Sequence, residues 1–334
     1  MFMNSSKMLF YSTLMIGTIT AISSSNWFGI WMGLEINLIS FVPIMFKMKK
    51  TQTSEAMMIY FLVQAMGSVI LLMAVIMSTS STVSTDMINY IFKILMASSL
   101  ALKLGSAPFH FWMPEVMNKI DWEGCFMLST WQKIAPLSAL SYIAENNPTI
   151  LIFAAASTIV GAMGGLNETS LRKIMAYSSI SHLGWMIACI KVENQLWMIY
   201  LLVYTLIVAT AMITFNRLAA FYMNQLTMNT TIMEKLTIAT IFLSMGGLPP
   251  FLGFMPKWMV IQSLTNYSMY MIIIMMILTT LITLYYYLRT ISTMVLINVA
   301  SCKWTMNKPL STNFMIMIIL INTATPLVAT MNLF

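Results

Sequence analysis

The stretch Leu102-Lys103-Leu104-Gly105-Ser106-Ala107-Pro108-Phe109-His110-Phe111-Trp112-Met113-Pro114-Glu115 interrupts an apolar run that extends from 87 to 118. As one helix the run would measure roughly 47 Å at about 1.5 Å per residue, against a hydrocarbon core of about 30 Å, too long for one span and too short for two. A second run, 235–264, has the same fault and carries Gly246, Gly247, Pro249 and Pro250 near its middle. Proline removes a backbone donor and clashes with the preceding turn. Both helices are therefore expected to be discontinuous, with freed carbonyls facing protein or water rather than lipid. The breaks also match in sequence: Pro108, Phe109, Met113, Pro114 and Glu115 stand in the spacing of Pro250, Phe251, Met255, Pro256 and Lys257, a constant offset of 142 residues.

Working outward, apolar runs bounded by polar or Pro-containing loops predict eleven helices, over 8–24, 26–46, 54–77, 87–118, 123–144, 148–166, 170–190, 195–222, 235–264, 267–297 and 310–332. Lys7 before an apolar stretch ending at Ser23, Ser24 and Ser25 has the outline of a signal peptide, but no clean small-x-small site follows, so the first run reads as an uncleaved span. The two breaks fall in the fourth and ninth helices, five spans apart, which makes those helices cross in opposite directions. The expected fold class is all-α integral membrane: eleven transmembrane helices with two inverted five-helix repeats, each with a discontinuous fourth helix. Residues 1–144 form the first repeat, 148–297 the second, and 298–334 a loop and C-terminal helix.

Composition agrees with a membrane protein. Of 334 residues, 59% are hydrophobic and only 8% are Asp, Glu, Lys or Arg, against about 25% charged in a soluble domain. The net charge of +7 is no nucleic-acid footprint, because the basic residues sit in short loops rather than along a polar stripe. Lys7, Lys47, Lys49, Lys50, Lys119, Arg172, Lys173, Arg217, Lys235, Arg289, Lys303 and Lys308 fall on one face of the eleven spans and only Lys191 on the other. The lysine-rich face is therefore the matrix or cytoplasmic side. That puts the N-terminus there and the C-terminus opposite. Cys125, Cys189 and Cys302 form no CxxC pair, and no disulfide framework, metal or iron-sulfur site is suggested. The 37 methionines either replace Leu and Ile in lipid-facing positions or reflect a genetic code with extra Met codons, as in animal mitochondria; the second reading is favoured.

Charges inside the spans are the candidate chemistry. Glu35, Lys93, Lys103, Lys133 and Lys257 remain there, and a charge at the bilayer centre costs about 2.5–3.5 kcal/mol on insertion scales. Lys93 is near enough to a helix start to snorkel. Glu35 and Lys133 lie about 13–15 Å deep by helical rise, Lys103 stands just before the first break, and Lys257 just after the second. Each is either an interhelical tie or part of a proton relay. A carboxylate beside a buried lysine favours its charged form, so a lysine whose carboxylate moves can take up and release a proton. His182, near Tyr177, Ser178, Ser179 and Ser181, is either a relay or a packing group. His110 is read as a helix-end group, and the tryptophans as interface and packing residues. No phosphate loop, dinucleotide fingerprint or nucleophile-base arrangement is present.

Several stretches together resemble the chain 2 family of NADH-ubiquinone oxidoreductase. They are Trp31-Met-Gly-Leu-Glu35-Ile-Asn37, Leu102 to Glu115, Thr130-Trp-Gln-Lys133-Ile-Ala-Pro136, Gly164-Gly-Leu-Asn167, Arg172 to Ile180 with His182-Leu-Gly-Trp185, and Gly246-Gly-Leu-Pro-Pro-Phe251 through Pro256-Lys-Trp258. This family supplies the smallest antiporter-like subunit in the membrane arm of respiratory complex I. The resemblance implies proton translocation in the mitochondrial inner membrane, coupled to electron transfer elsewhere in the complex. It assigns Glu35 and Lys103 to the carboxylate-lysine pair of the first half-channel, Lys133 to the central relay and Lys257 to the second half-channel. It implies no cofactor in this chain, since flavin, iron-sulfur clusters and ubiquinone belong to other subunits, and it allows bound cardiolipin. It implies as partners the neighbouring membrane-arm subunits, including other antiporter-like chains and accessory subunits, with phospholipid and without nucleic acid. Lys93 and Glu168 depart from the family pattern. Two readings from other classes stand beside it: a stand-alone secondary ion or metabolite transporter, and a structural membrane scaffold.

Overall fold

A computed structural model describes residues 5–46, 51–80, 86–144, 147–193, 195–227, 231–296 and 310–323. Lys47, Lys49, Lys50, Lys303, Lys308 and Cys302, and the end of the predicted last helix, lie outside the described residues. The chain divides into two compact units, Met1–Ala156 and Ser157–Phe334. Apart from one antiparallel bridge between Ser170 and Tyr222, the regular structure among the described residues is helical. The first unit holds α1 (Ser5–Ser23), α2 (Trp27–Met45), α3 (Thr51–Ser80), α4 (Asp86–Leu104), α5 (Trp112–Lys119), α6 (Trp122–Ser129) and α7 (Trp131–Ile143), and α8 (Thr149–Gly164) runs across the boundary. The second unit holds α9 (Leu171–Val192), α10 (Leu196–Arg217), α11 (Ile232–Gly246), α12 (Phe254–Asn266), α13 (Tyr270–Leu296) and α14 (Thr312–Asn322).

Among the described residues, α2, α3, α10 and α13 are long and apolar enough to cross a membrane, and α8 and α14 are shorter apolar helices. Their faces are inverted relative to a soluble protein. Met58, Leu62, Met66, Val69 and Met73, three or four residues apart on α3, all point outward, which is the stripe a helix presents to lipid. Between helices, small residues let backbones approach where no hydrophobic force drives association. A Cβ on Gly33 of α2 would come within 2.6 Å of the Ala21 backbone nitrogen in α1.

Both overlong runs are interrupted. The first ends at Leu104 and resumes at Trp112, and the second ends at Gly246 and resumes at Phe254, again 142 residues apart at each position. The turns are alike in detail. Gly105 has φ +71° and Gly247 φ +76°, the left-handed conformation that glycine adopts without a Cβ penalty. Gly105 N–H donates to Leu102 O and Ser106 N–H to Ala101 O; Gly247 N–H donates to Ser244 O and Leu248 N–H to Leu243 O. This paired closure is a Schellman motif at each helix end. Phe109 N–H to Ser106 O and Phe251 N–H to Leu248 O then repeat the next turn.

One further interruption has no counterpart in the apolar pattern: the run predicted as one helix over 123–144 divides at Thr130 into α6 and α7. The Thr130 hydroxyl donates to Phe126 O at 2.7 Å, a back-bond that bends helices. Pro136 inside α7 removes the donor that would tie the next turn to Gln132.

The second break closes on a backbone contact, because a Cβ on Gly253 would overlap the carbonyl oxygen of Ser244. Gly253→Ala is expected to cost about 1–3 kcal/mol as overpacking. Gly124→Ala, whose nearest neighbour is the flexible Ile120 side chain at 3.5 Å, is expected to be neutral or stabilising by up to about 1 kcal/mol. Thermal unfolding of the assembled protein with each variant checks the pair; equal melting temperatures would disprove the close approach.

Candidate functional site

In the first unit the polar groups gather around the end of α4. Lys103, in its last turn, is buried to 6% exposure. Three of the carbonyls at the end of α4 are met by protein. Leu102 O accepts from Trp112 Nε1 at 3.2 Å, Lys103 O from Gln64 Nε2 at 3.1 Å, and Ala101 O from the Ser106 hydroxyl at 3.2 Å. The Lys103 stem lies against Gly67 of α3, where a Cβ would meet it at 3.0 Å. Its Nζ makes no hydrogen bond among the described residues, and Glu35 is the carboxylate that acts on it electrostatically. Glu35 is half-buried on α2, one turn beyond Trp31, whose indole donates to Ser68 O of α3 at 3.2 Å.

Lys133, 2% exposed, sits between the Thr130 interruption and Pro136. It shares with Lys103 an internal cavity of about 20 Å³, lined also by Asn37, Tyr60, Gln64 and Gln132. That volume holds about one water molecule, and the lining has the polar partners a buried water needs. Gln132 is fixed from both ends: its Nε2 donates to Asn37 Oδ1 at 2.9 Å and its Oε1 accepts from Tyr60 Oη at 3.3 Å. Sequence reading singled out the charges and passed over Asn37, Tyr60, Gln64 and Gln132 as sites. The signal was available, since an amide inside an apolar span needs a partner as a lysine does.

In the second unit Lys257 is buried in the first turn of α12 and donates from Nζ to Gly246 O at 2.8 Å. The ammonium thus occupies the negative C-terminal end of α11, and a Cβ on Gly247 would come within 2.9 Å of it. His182, buried in α9, lies with Nδ1 2.8 Å from the Tyr200 hydroxyl and stacks near Tyr204 with ring centroids 5.0 Å apart. Each unit therefore gathers its own share of the predicted relay residues: Glu35, Lys103 and Lys133 in one, Lys257 and His182 in the other.

Two other predicted groups sit apart. Lys93 is exposed on α4, and His110 lies on the break with Nδ1 3.2 Å from Pro108 O. Glu168 pairs with Lys173 at 3.2 Å, and its backbone carbonyl accepts from Arg289 Nη2 at 2.8 Å. Glu234 also escaped the sequence reading. It is 2% exposed and accepts the N–H of Thr231 at 2.8 Å and of Leu310 at 2.9 Å, fastening the start of α11 to the approach to α14. Cys125 and Cys189 are buried, and the Cys125 thiol donates to Met117 O at 3.3 Å. No group of His, Cys, Asp and Glu suited to a metal ion occurs among the described residues.

Several apolar spans together with broken helices that bury lysines at the breaks define a class: polytopic helical membrane proteins. The model of the NADH:quinone oxidoreductase/Mrp antiporter membrane family matches residues 24–283, and the chain belongs to that family. It is 45% identical over 304 residues to NADH-ubiquinone oxidoreductase chain 2 of Anopheles gambiae, covering 90% of this chain and 89% of that one. It is 43% identical over 291 residues to the same-named protein of Locusta migratoria, covering 86% and 85%. A chain in the structure of respiratory complex I from Thermus thermophilus superposes with a TM-score of 0.83 at 21% identity, covering 95% of this chain and 76% of that one.

The Gln132 clamp has a measurable signature. Gln132→Leu leaves two buried groups on Asn37 and Tyr60 unpaired and is expected to destabilise by about 1–3 kcal/mol. Adding Asn37→Leu to it should cost less than the sum of the single changes. Strictly additive melting shifts in that cycle would show that the two amides do not interact.

Proposed function

We infer that this chain is a proton-translocating, antiporter-like core subunit of NADH:ubiquinone oxidoreductase, and that it moves protons through its buried lysines while other subunits carry out the redox chemistry. The observation that carries this reading is the coincidence of a buried lysine with each helix break in a chain of the antiporter family. A charge is costly at such depth, and a scaffold could tie its helices with neutral groups at lower cost.

In the proposed path the first unit supplies Glu35, Lys103 and Lys133. With Glu35 close, Lys103 holds its proton; as the carboxylate withdraws, Lys103 releases it to water in the 20 Å³ cavity, and the water protonates Lys133. Only proton hops between heteroatoms are needed, with no net bond made. The second unit supplies Lys257 and His182 for the other half of the path. The eleven spans and the inverted repeat belong to the same proposal. They are supported by the common offset of the two breaks and by the three interrupted runs, which reduce the fourteen described α-helices to eleven rods. The N-terminus then faces the matrix of the mitochondrion and the C-terminus the intermembrane space. Flavin, iron-sulfur clusters and quinone reside in partner subunits, and the outward apolar faces meet neighbouring membrane-arm chains, accessory subunits and phospholipid such as cardiolipin.

The test uses the assembled complex in sealed proteoliposomes. Lys133→Met is expected to leave assembly intact and lower proton-coupled turnover by about tenfold or more, as loss of a positioned proton-transfer group does, while NADH oxidation by an artificial electron acceptor stays at the wild-type rate. Lys103→Met should do the same and leave Glu35 without its cation. Wild-type pumping by an assembled Lys133→Met complex would remove the relay role and favour a scaffold. Solute exchange by the isolated chain would favour a carrier.

A further inference from the structure

The outer face of the second unit carries an apolar groove that the buried lysine and histidine leave unused. It has a volume of about 490 Å³ and lies between α10 and α14, with Leu206, Ala209 and Ile213 on one wall and Phe314, Met317 and Ile321 on the other. The Thr210 hydroxyl in its wall already donates to Ile207 O at 2.7 Å, so it asks nothing of an occupant. On α10 the wall residues recur at three or four positions, and the next step of that stripe is Arg217. From Leu206 to Arg217 is about 16 Å at about 1.5 Å per residue, close to half of a hydrocarbon core of about 30 Å.

Arg217 is exposed in the last turn of α10, and its guanidinium carbon sits 3.8 Å from the centroid of the Phe314 ring. Stacking occupies one flat face of the guanidinium. Its five N–H donors lie in the plane and point past the ring. The ion pairs among the described residues lie elsewhere, Lys119 with Glu55 and Lys173 with Glu168. Between Arg217 and Lys235 the sequence has one carboxylate, Glu234, and its two oxygens are spent on the N–H groups of Thr231 and Leu310. Ser311 at the start of α14 makes no side-chain cap, so the positive end of that helix adds to the same charge. The groove therefore runs from an apolar floor to a cationic mouth, and Phe314 belongs to both.

We propose that this groove binds one anionic phospholipid, with an acyl chain along Leu206, Ala209 and Ile213 and the phosphate on Arg217. The proposal rests on the reading that outward apolar faces meet phospholipid, and narrows that contact to one place. A helix about 10 Å across running the same 16 Å would displace about 1,200 Å³, so a neighbouring helix could lie over the groove but not in it. A single hydrocarbon chain fits. The stacked guanidinium is held with its donor edge free, the arrangement that meets a phosphate with two parallel hydrogen bonds. A zwitterionic headgroup brings its own cation beside the phosphate, so the net positive mouth favours an anionic one. Ala209 sets the depth at mid-groove, and a larger side chain there would fill the chain's path without touching the charge.

The experiment places the assembled complex in vesicles doped with phosphatidylglycerol or phosphatidylcholine, each carrying the same photoactivatable group on one acyl chain, and assigns labelled residues by mass spectrometry. The phosphatidylglycerol probe is expected to label Leu206 to Ile213 and Phe314 to Ile321 several-fold more than the phosphatidylcholine probe does. Arg217→Gln should lower that label about fivefold, the effect of one basic side chain on an anionic headgroup. Ala209→Phe should remove it with the charge intact, and label on the chain's other apolar faces should not change in either variant. Equal labelling by the two probes, or wild-type labelling of Arg217→Gln, would overturn the headgroup site. Should Arg217→Gln not assemble, Ala209→Phe decides alone, and an undiminished groove label in it would overturn the proposal. An unlabelled groove beside labelled faces elsewhere would mean that protein covers it, which overturns the site and leaves the phospholipid reading standing. If no face of the chain takes label, that reading fails as well.

Discussion

The carbonyl groups released where a helix stops at a buried break set the terms for the rest of this structure. In hydrocarbon each unsatisfied backbone group costs several kcal/mol, so a break is tolerable only where donors surround it. Around α4 these donors are Trp112, Gln64 and Ser106. At the end of α11 the donor is the Lys257 ammonium itself. The repeated glycine closures, the approach of α3 at Gly67 and the backbone contact at Gly253 all follow from bringing those donors within reach.

This also explains a displacement in the sequence. At the common offset, Lys103 aligns with Met245 and Lys257 with Glu115, so the two lysines are not equivalent positions. Both nevertheless stand beside the end of the helix before the break, Lys103 in its last turn and Lys257 across the gap. The helix dipole makes that end negative. Lys257 meets that end through the Gly246 carbonyl, whereas Lys103 makes no such bond among the described residues and has Glu35 acting on it.

Much of the fold was legible because its strongest signals are local. Apolar run length, proline position and the paired breaks are properties of short windows, and the helices over 27–45, 171–192 and 270–296 fall within a few residues of the predicted ones. The division at Thr130 was not legible. It depends on a hydroxyl turning back to Phe126, and threonine occurs in unbroken helices of this chain as well. The candidate site was legible for its charges, which stand out against an apolar background. Its neutral members were not, because Gln132 matters through Asn37 and Tyr60, which lie 95 and 72 residues away, and sequence without an alignment does not pair them. Glu234 belongs with these: its spacing from Thr231 announces a capping box, but the second bond to Leu310 is tertiary.

The division of labour between charged and neutral groups follows from their costs. A further carboxylate beside Lys133 would add another ion to the buried interior at about 2.5–3.5 kcal/mol. An amide clamped between two partners orients the same cavity with no net charge, and a phenol or serine hydroxyl can both accept and donate. That is why the groups around Lys103 and Lys133 are Asn37, Gln64, Gln132 and Tyr60, and why those around His182 are tyrosines and serines. Neutral side chains, tied by hydrogen bonds such as those of Gln132 to Asn37 and Tyr60, order the space around the buried lysines without adding charge.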